Sequence, residues 1–279
     1  MAFLRINNEK CKKDNICVAE CPVRILIASN DGNAPTMRPG GEDICLECGH
    51  CVAVCPWDAL ELEPIRRDDC DAIEGKGKEK GFTVEQAVSF LKTRRSIRTF
   101  KKKAVSAEIL DEIIDTLRFA PSAKNERPVH WVLVETPEKM QELTELCIQW
   151  MIDIRQNNPA EAKKYGVAGV IAAWKRHKLD LVLNGAPHLL VACTVKDSMW
   201  AKTDADIALA YAELSAHAHG VGACFAGYFT YAVNDSAEIR SFLNIDDSLV
   251  VHGAQMLGYP QYRYFMIPFK PAVAIHRVK

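Results

Sequence analysis

The stretch CLECGHCVAVCP, residues 45–56, decides how the first part of this chain is built. It places Cys45, Cys48, Cys51 and Cys55 at the spacing C-x2-C-x2-C-x3-C, with Pro56 after the last cysteine. Thiolates at that spacing are ligands of iron–sulfur clusters. A second stretch, KCKKDNICVAECP at residues 10–22, repeats the pattern with one departure. Cys11, Cys17, Cys21 and Pro22 stand in register, but the second cysteine position holds Asp14.

In two-cluster ferredoxins the fourth cysteine of each run ligates the other run's cluster, so the two runs are read together. Cys45, Cys48, Cys51 and Cys21 make one complete thiolate set. Cys11, Cys17, Cys55 and Asp14 make the other. A carboxylate is a harder ligand than a thiolate, yet it binds iron. Three arrangements are open at the odd corner. Asp14 ligates the iron of a 4Fe–4S cluster, or that iron is missing and a 3Fe–4S cluster remains, or solvent fills the place. We favour ligation by Asp14 or interconversion of the two forms.

The chain has 279 residues, enough for two domains, with 48% apolar and 25% charged residues, an ordinary globular balance. Its formal net charge of −1 gives no reason to expect nucleic acid or an anionic membrane as partner. No apolar run approaches the length of a membrane span. The opening MAFLRINNEK has no apolar signal region and reads as uncleaved. Iron–sulfur ligation without a signal peptide suggests a reducing cytoplasm. Four cysteines fall outside the runs: Cys70, Cys147, Cys193 and Cys224. Cys193 and Cys224 lie in apolar, strand-like segments and read as small buried hydrophobes.

Three segments follow. Residues 1–65 form the iron–sulfur module, in which the clusters themselves serve as the core. Residues 66–82 are polar and glycine-rich and read as a linker. GKGKEKG inside it lacks the G-x-x-x-x-G-K-[ST] pattern of a phosphate loop. Residues 83–279 read as a larger α+β domain. Helices are expected at 83–95, 106–121, 137–152, 159–180, 204–219 and 234–243. Strands are expected at 130–135, 188–193, 221–227 and 248–260. The alanine-rich helix 204–219 allows a close approach by a partner backbone.

Two stretches of this larger segment carry chemistry. RRSIRTF, residues 94–100, puts Arg94, Arg95, Arg98 and Ser96 together, and arginine forks match phosphate oxygens. By spacing alone, the preference of arginines for a helix C-terminus is the better explanation. APSAKNERPVHW, residues 120–131, is a polar loop between a helix and a strand, a place where a planar ligand finds donors. Trp150, Tyr165 and Trp174 on the 148–180 segment either cover a substrate face or simply pack. There is no G-x-G-x-x-G after a strand, so no dinucleotide-binding unit of the Rossmann kind is expected.

RRSIRTF, RFAPSAKNERPVHWVLVE, AHGVGACFAGYF and MLGYP, in that order, resemble the flavin-dependent nitroreductase family. With the cysteine runs in front, the whole chain resembles ferredoxin-type nitroreductase fusions. The resemblance implies FMN. Arg94, Ser96 and Arg98 match the positions holding its phosphate and ribityl chain, with Arg95 alongside. Pro121, Ser122, Lys124 and Asn125 match the loop lining the flavin ring. Ala226 and Gly227 match the strand end beside the ring, and Arg263 and Lys270 are candidates to close the phosphate site. Lys124 or Arg127 would stabilise reduced, anionic flavin.

The resemblance also implies a homodimer with FMN at the subunit interface. The implied function is reduction of small electrophiles such as nitroaromatics, quinones or enones. The iron–sulfur module suggests single electrons arriving from ferredoxin or flavodoxin. Two alternatives stand beside this. The protein relays electrons or senses redox state without a small substrate, or NAD(P)H reduces the flavin directly and the clusters are structural.

Overall fold

The computed structural model describes residues 3–65, 70, 83–196 and 198–278. The chain divides into two compact units. The first runs to Thr83 and includes Lys124–Glu126; the second holds Val84–Ala123 and Arg127 onward. The expected linker at 66–82 lies outside the described residues except for Cys70, which is exposed.

The first unit is small. Its elements are β1 (Leu4–Ile6), α1 (Ile16–Glu20), β2 (Leu26–Ile27), β3 (Thr36–Met37), α2 (Gly41–Ile44), α3 (His50–Ala53) and β4 (Leu60–Leu62). β1 pairs antiparallel with β4, and β2 with β3. The buried apolar set is small: Cys21, Ile25, Leu26, Val52, Leu60 and Leu62 pack together, and Ala34 and Ala59 are also buried. Such a core is too thin to carry a domain without a further staple. The two cysteine runs share one backbone. Left-handed residues at Lys13, Asn15 and Arg24 recur thirty-four positions on at Glu47, Gly49 and Asp58. Likewise α1, which carries Cys17, recurs as α3, which carries Cys51.

The second unit contains α4 (Val84–Thr93), α5 (Ala107–Asp115), β5 (His130–Val134), α6 (Pro137–Asn157), α7 (Pro159–Tyr165), α8 (Val167–His177), β6 (His188–Val195), α9 (Ala201–Ala218), β7 (Gly222–Phe225), α10 (Gly227–Asp235), α11 (Ala237–Phe242) and β8 (Leu249–Gly258). Its sheet has the order β5-β6-β8-β7, antiparallel throughout. β6 is buried along its first seven residues. Side chains alternate across a strand, so its two faces serve two cores. Leu189, Val191 and Cys193 join the larger core with Leu143, Cys147 and Met151 of α6 and Phe229 of α10. Leu190 packs with Leu110 and Ile113 of α5 and with Ala212 and Ala216 of α9. Covered on both faces, the strand reads as a continuous apolar run rather than an alternating one. The architecture is α+β.

Several elements differ from expectation. Helix α6 continues to Asn157, with the Thr136 side chain capping its start. The single helix expected at 159–180 is two, α7 and α8, parted at Gly166 with φ 68°. A left-handed glycine ends a helix because its backbone meets no Cβ penalty there. Pro121 does not stop α5, which ends at Asp115 and continues as a 3-10 turn over Thr116–Phe119. The expected helix at 234–243 resolves into the end of α10 and α11, and most of α10 was not foreseen. Its sequence GYFTYAVND is a weak helix former by propensity. Burial of Phe229, Ala232 and Val233 holds it instead. Cys193 and Cys224 are buried as expected. Among the described residues no helix is long and apolar enough to cross a membrane.

Candidate cofactor sites

In the first unit a small hollow is lined by Cys21, Cys45, Cys48 and Cys51, with Val23, Leu26 and Leu62 among its apolar walls. Burial pushes the Cys51 thiol up to about 11, and the neighbouring Cys48, Cys45 and Cys21 act in the same direction. Crowded, desolvated thiols of this kind suit a metal, which takes them as thiolates. On the other side of the repeat, burial raises Cys17, and Cys55 and Cys11 beside it add to the effect. The fold thus groups Cys21 with the second run and Cys55 with the first. Backbone N–H groups of Lys13, Glu47 and Ala59 donate to the sulfurs of Cys11 (3.4 Å), Cys45 (3.4 Å) and Cys55 (3.5 Å). Such bonds stabilise thiolate charge and tune cluster potentials. Among the described residues no three His, Cys, Asp or Glu side chains converge on a single ion.

Asp14 occupies the backbone position that Cys48 holds in the second run. Its Oδ2 accepts a hydrogen bond from Trp57 Nε1 at 2.8 Å, and its Oδ1 accepts a longer one from the Ile16 amide at 3.3 Å. Lys10 Nζ, just before the run, pairs with Asp58 at 3.1 Å.

The second unit holds a cavity of about 290 Å³. Three guanidinium-bearing residues, Arg94, Arg95 and Arg263, line it together with Thr93, Glu213 and His217. The strand ladder explains how such distant residues meet. Ile97 N–H donates to the Ala223 carbonyl at 2.9 Å, which seats the arginine segment on β7. Lys101 N–H donates to Tyr259 and Gln261 N–H donates to Thr99, which brings the chain after β8 alongside. Gly222 permits this packing, since a Cβ there would lie 2.5 Å from Ile97 Cγ1. Arg94 Nη1 pairs with Glu213 Oε1 at 2.6 Å. His217 lies one turn further along α9. Its Nε2 is 3.2 Å from Thr93 Oγ1, and its ring sits 4.8 Å from that of Phe90. Burial holds the His217 imidazole below its ordinary range, and the charges of Arg94 and Arg95 press the same way. A cavity lined by three arginines suits an anion, and Arg94 already has the Glu213 carboxylate as its counter-ion.

The family model described as "Nitroreductase family" matches residues 91–259, more than half of the chain. The chain belongs to the nitroreductase family. It is a flavin-dependent oxidoreductase of that type. In front of the nitroreductase domain, residues 3–56 match the "4Fe-4S dicluster domain" model, so the chain joins a ferredoxin-like module to a nitroreductase. A relative from Methanothermobacter thermautotrophicus, provisionally named NADH dehydrogenase/NAD(P)H nitroreductase, is 27% identical over 190 residues, 66% of this chain and 81% of its own. Two solved structures share the fold. One is a nitroreductase with bound FMN from Bacteroides fragilis, with TM-score 0.58, 21% identity, and coverage of 70% of this chain and 99% of that one. The other is a nitroreductase with bound FMN from Desulfitobacterium hafniense, with TM-score 0.55, 20% identity, and coverage of 68% and 96%.

Within the nitroreductase domain the candidate residues do not all come together. Arg94, Arg95 and Arg263 line the cavity. Arg95 turns its Nη2 to the Lys92 carbonyl. Ser96 lies beside β7 and bridges to Ala223. Arg98 is exposed, with Nη1 3.4 Å from the Ser96 carbonyl, and Lys270 is exposed on the final segment. Neither lines this cavity, and neither do Ser96, Pro121, Ser122, Ala226 or Gly227. Ala226 is buried before the first turn of α10 and donates its N–H to Ala254, and Gly227 opens that helix.

The loop after Pro121 is tightly wound. Ser122 Oγ accepts from the Arg127 amide at 2.9 Å, and Lys124, Asn125 and Arg127 all have left-handed backbones. Buried Asp204 of α9 anchors its start, with Oδ1 accepting from the Ala123 amide at 3.0 Å. Asp204 Oδ2 has no partner among the described residues. Lys124–Glu126 group with the first unit, where the Asn125 amide donates to the carbonyls of Leu46 and Glu47. Trp150 and Tyr165 pack rather than cover a site. Trp150 Nε1 donates to Asp235 at 2.7 Å, and Tyr165 stacks on Tyr231. Thr93, Glu213 and His217 of the cavity lining, and Asp204 at the start of this loop, are residues that the sequence did not flag.

Proposed function

We propose that this chain is an FMN-dependent reductase of small electrophiles, nitroaromatics, quinones or enones, which receives single electrons through its N-terminal iron–sulfur clusters. The observation that carries the reading is the cavity where Arg94, Arg95 and Arg263 converge from opposite ends of the nitroreductase domain. Their guanidinium groups would hold the FMN phosphate, with Glu213 fixing the fork of Arg94 and Thr93 supplying a hydroxyl. Ser96 and Arg98 follow directly and would reach the ribityl chain, with Lys270 closing the outside. Pro121, Ser122, Lys124 and Asn125, with Ala226 and Gly227, would line the ring. Once bound, FMN supplies the electron and hydride chemistry, and the protein contributes binding, orientation and charge. Lys124 or Arg127 would stabilise the reduced, anionic form.

The thiol sets suit two clusters, one 4Fe–4S on Cys21, Cys45, Cys48 and Cys51, the other on Cys11, Cys17 and Cys55 with Asp14. Their donors would be one-electron carriers, ferredoxin or flavodoxin, and the site of action a reducing cytoplasm. A second copy completes the assembly. The segment after β8 leaves Phe265 85% and Phe269 88% exposed. Apolar area of that kind is covered by a partner in a stable protein, and a homodimer supplies one.

The competing donor is a nicotinamide, which the name of the Methanothermobacter relative suggests. Anaerobic stopped flow separates the two. Reduced ferredoxin should bleach the flavin quickly, while NADH and NADPH act slowly. Bleaching by a nicotinamide that persists at full rate in a Cys48→Ala variant would remove the clusters from the electron route.

A further inference from the structure

The two cysteine runs differ at two linked places. Thirty-four residues separate equivalent positions, so Asp14 stands where Cys48 does and Trp57 stands where Val23 does. In the second-run site Val23 lines the hollow with Cys48, an apolar wall beside a thiolate. In the first-run site the equivalent pair is an indole N–H and a carboxylate, 2.8 Å apart.

Chemistry explains why these changes go together. A thiolate presents one sulfur and needs no further partner. A carboxylate has two oxygens, and binding one iron through one of them leaves the other to be satisfied. Here Oδ2 is taken by Trp57 Nε1, while among the described residues Oδ1 has only the 3.3 Å contact from the Ile16 amide. Oδ1 is therefore the oxygen with capacity to spare. Trp57 is also 45% exposed, so its ring is not there to fill a core.

We propose that Trp57 is the positioning residue of the mixed-ligand site. Its N–H anchors Asp14 Oδ2 so that Oδ1 is presented to the corner iron. The proposal rests on Asp14 being the fourth ligand. Ligands of this kind are themselves hydrogen-bonded, and loss of such a partner weakens metal binding by roughly ten- to a hundredfold.

The test uses the full chain, reconstituted anaerobically with iron and sulfide and then titrated with ferricyanide. Conversion of a [4Fe–4S]2+ core passes one electron to ferricyanide, releases one ferrous ion and leaves a [3Fe–4S]+ core. EPR reports the three-iron product, and a colorimetric chelator reports the released iron. The Cys21, Cys45, Cys48 and Cys51 cluster serves as an internal control for folding. Trp57→Phe should lose corner iron about tenfold faster than the parent protein, in keeping with the loss of a ligand's hydrogen-bond partner. Asp14→Cys should not convert, and adding Trp57→Phe to it should change nothing, because a thiolate does not need the indole.

Parental rates in Trp57→Phe would overturn the proposal. So would a Trp57 effect that persists in the Asp14→Cys background, which would mark the indole as a solvent shield. Asp14→Ala tests the underlying reading separately. If it behaves as the parent, the carboxylate is not a ligand. If it loses iron while Trp57→Phe does not, only the role of Trp57 fails.

Discussion

The two units of this chain are held together by opposite means. The nitroreductase unit has a strand, β6, buried on both faces between two apolar cores. The ferredoxin-like unit has a small set of buried apolar residues and two groups of crowded thiols. In the first case burial of side chains offsets chain entropy; in the second, ligand bonds must do so. The contrast teaches where each unit is vulnerable. One is sensitive to methylenes, the other to metal.

The strongest way to break the comparison is to remove iron. Anaerobic chelation should abolish hydrogen-exchange protection in α1 and α3 while β6 and β8 stay protected, since binding energy in such modules is folding energy. Protection that survives in α1 would mean the small apolar core suffices. A core deletion sharpens the other half. Leu189→Ala should lower the denaturant stability of the nitroreductase unit by about 2–5 kcal/mol, with iron content unchanged. Arg94→Ala removes a charge-assisted bond from the cavity and leaves Glu213 facing the anion. FMN affinity should fall by about 1.5–3 kcal/mol, roughly ten- to a hundredfold, read from the fluorescence of released flavin.

A pH effect should be smaller. His217 is held below its ordinary range by burial and by Arg94 and Arg95, with Glu213 and the Phe90 backbone opposing. If the FMN phosphate sits in the cavity as proposed, it would favour the protonated ring, and binding would take up a proton. Affinity should therefore rise as pH falls through the histidine range, and His217→Gln should flatten that slope. The smallest effect belongs to the surface. Lys202 and Asp206 form an exposed pair one turn apart on α9, and Lys202→Ala should cost about 0.5 kcal/mol or less.

What the sequence disclosed follows the same divide. Cluster ligands sit at short fixed spacings, so Cys45 to Cys55 can be read without any fold. The repeat even showed that position 14 was unusual. It did not show Trp57, because the contact joins residues forty-three positions apart and only the folded backbone brings them together. The arginines of RRSIRTF were visible as residues, but their convergence with Arg263 depends on the ladder between Lys101, Tyr259 and Gln261. Glu213 and His217 were hidden in an alanine-rich helix whose pattern announces packing. The split at Gly166 and the unforeseen α10 have related causes. Helical periodicity runs through a glycine unless its φ is known, and burial of Phe229 outweighs poor propensity.

The grouping of Cys21 with the second run and Cys55 with the first carries one more consequence. Each run lends one cysteine to its sibling's set. Were both sets to hold clusters, each run would be tied down at two points by two different groups, so neither run could leave its place without drawing on both.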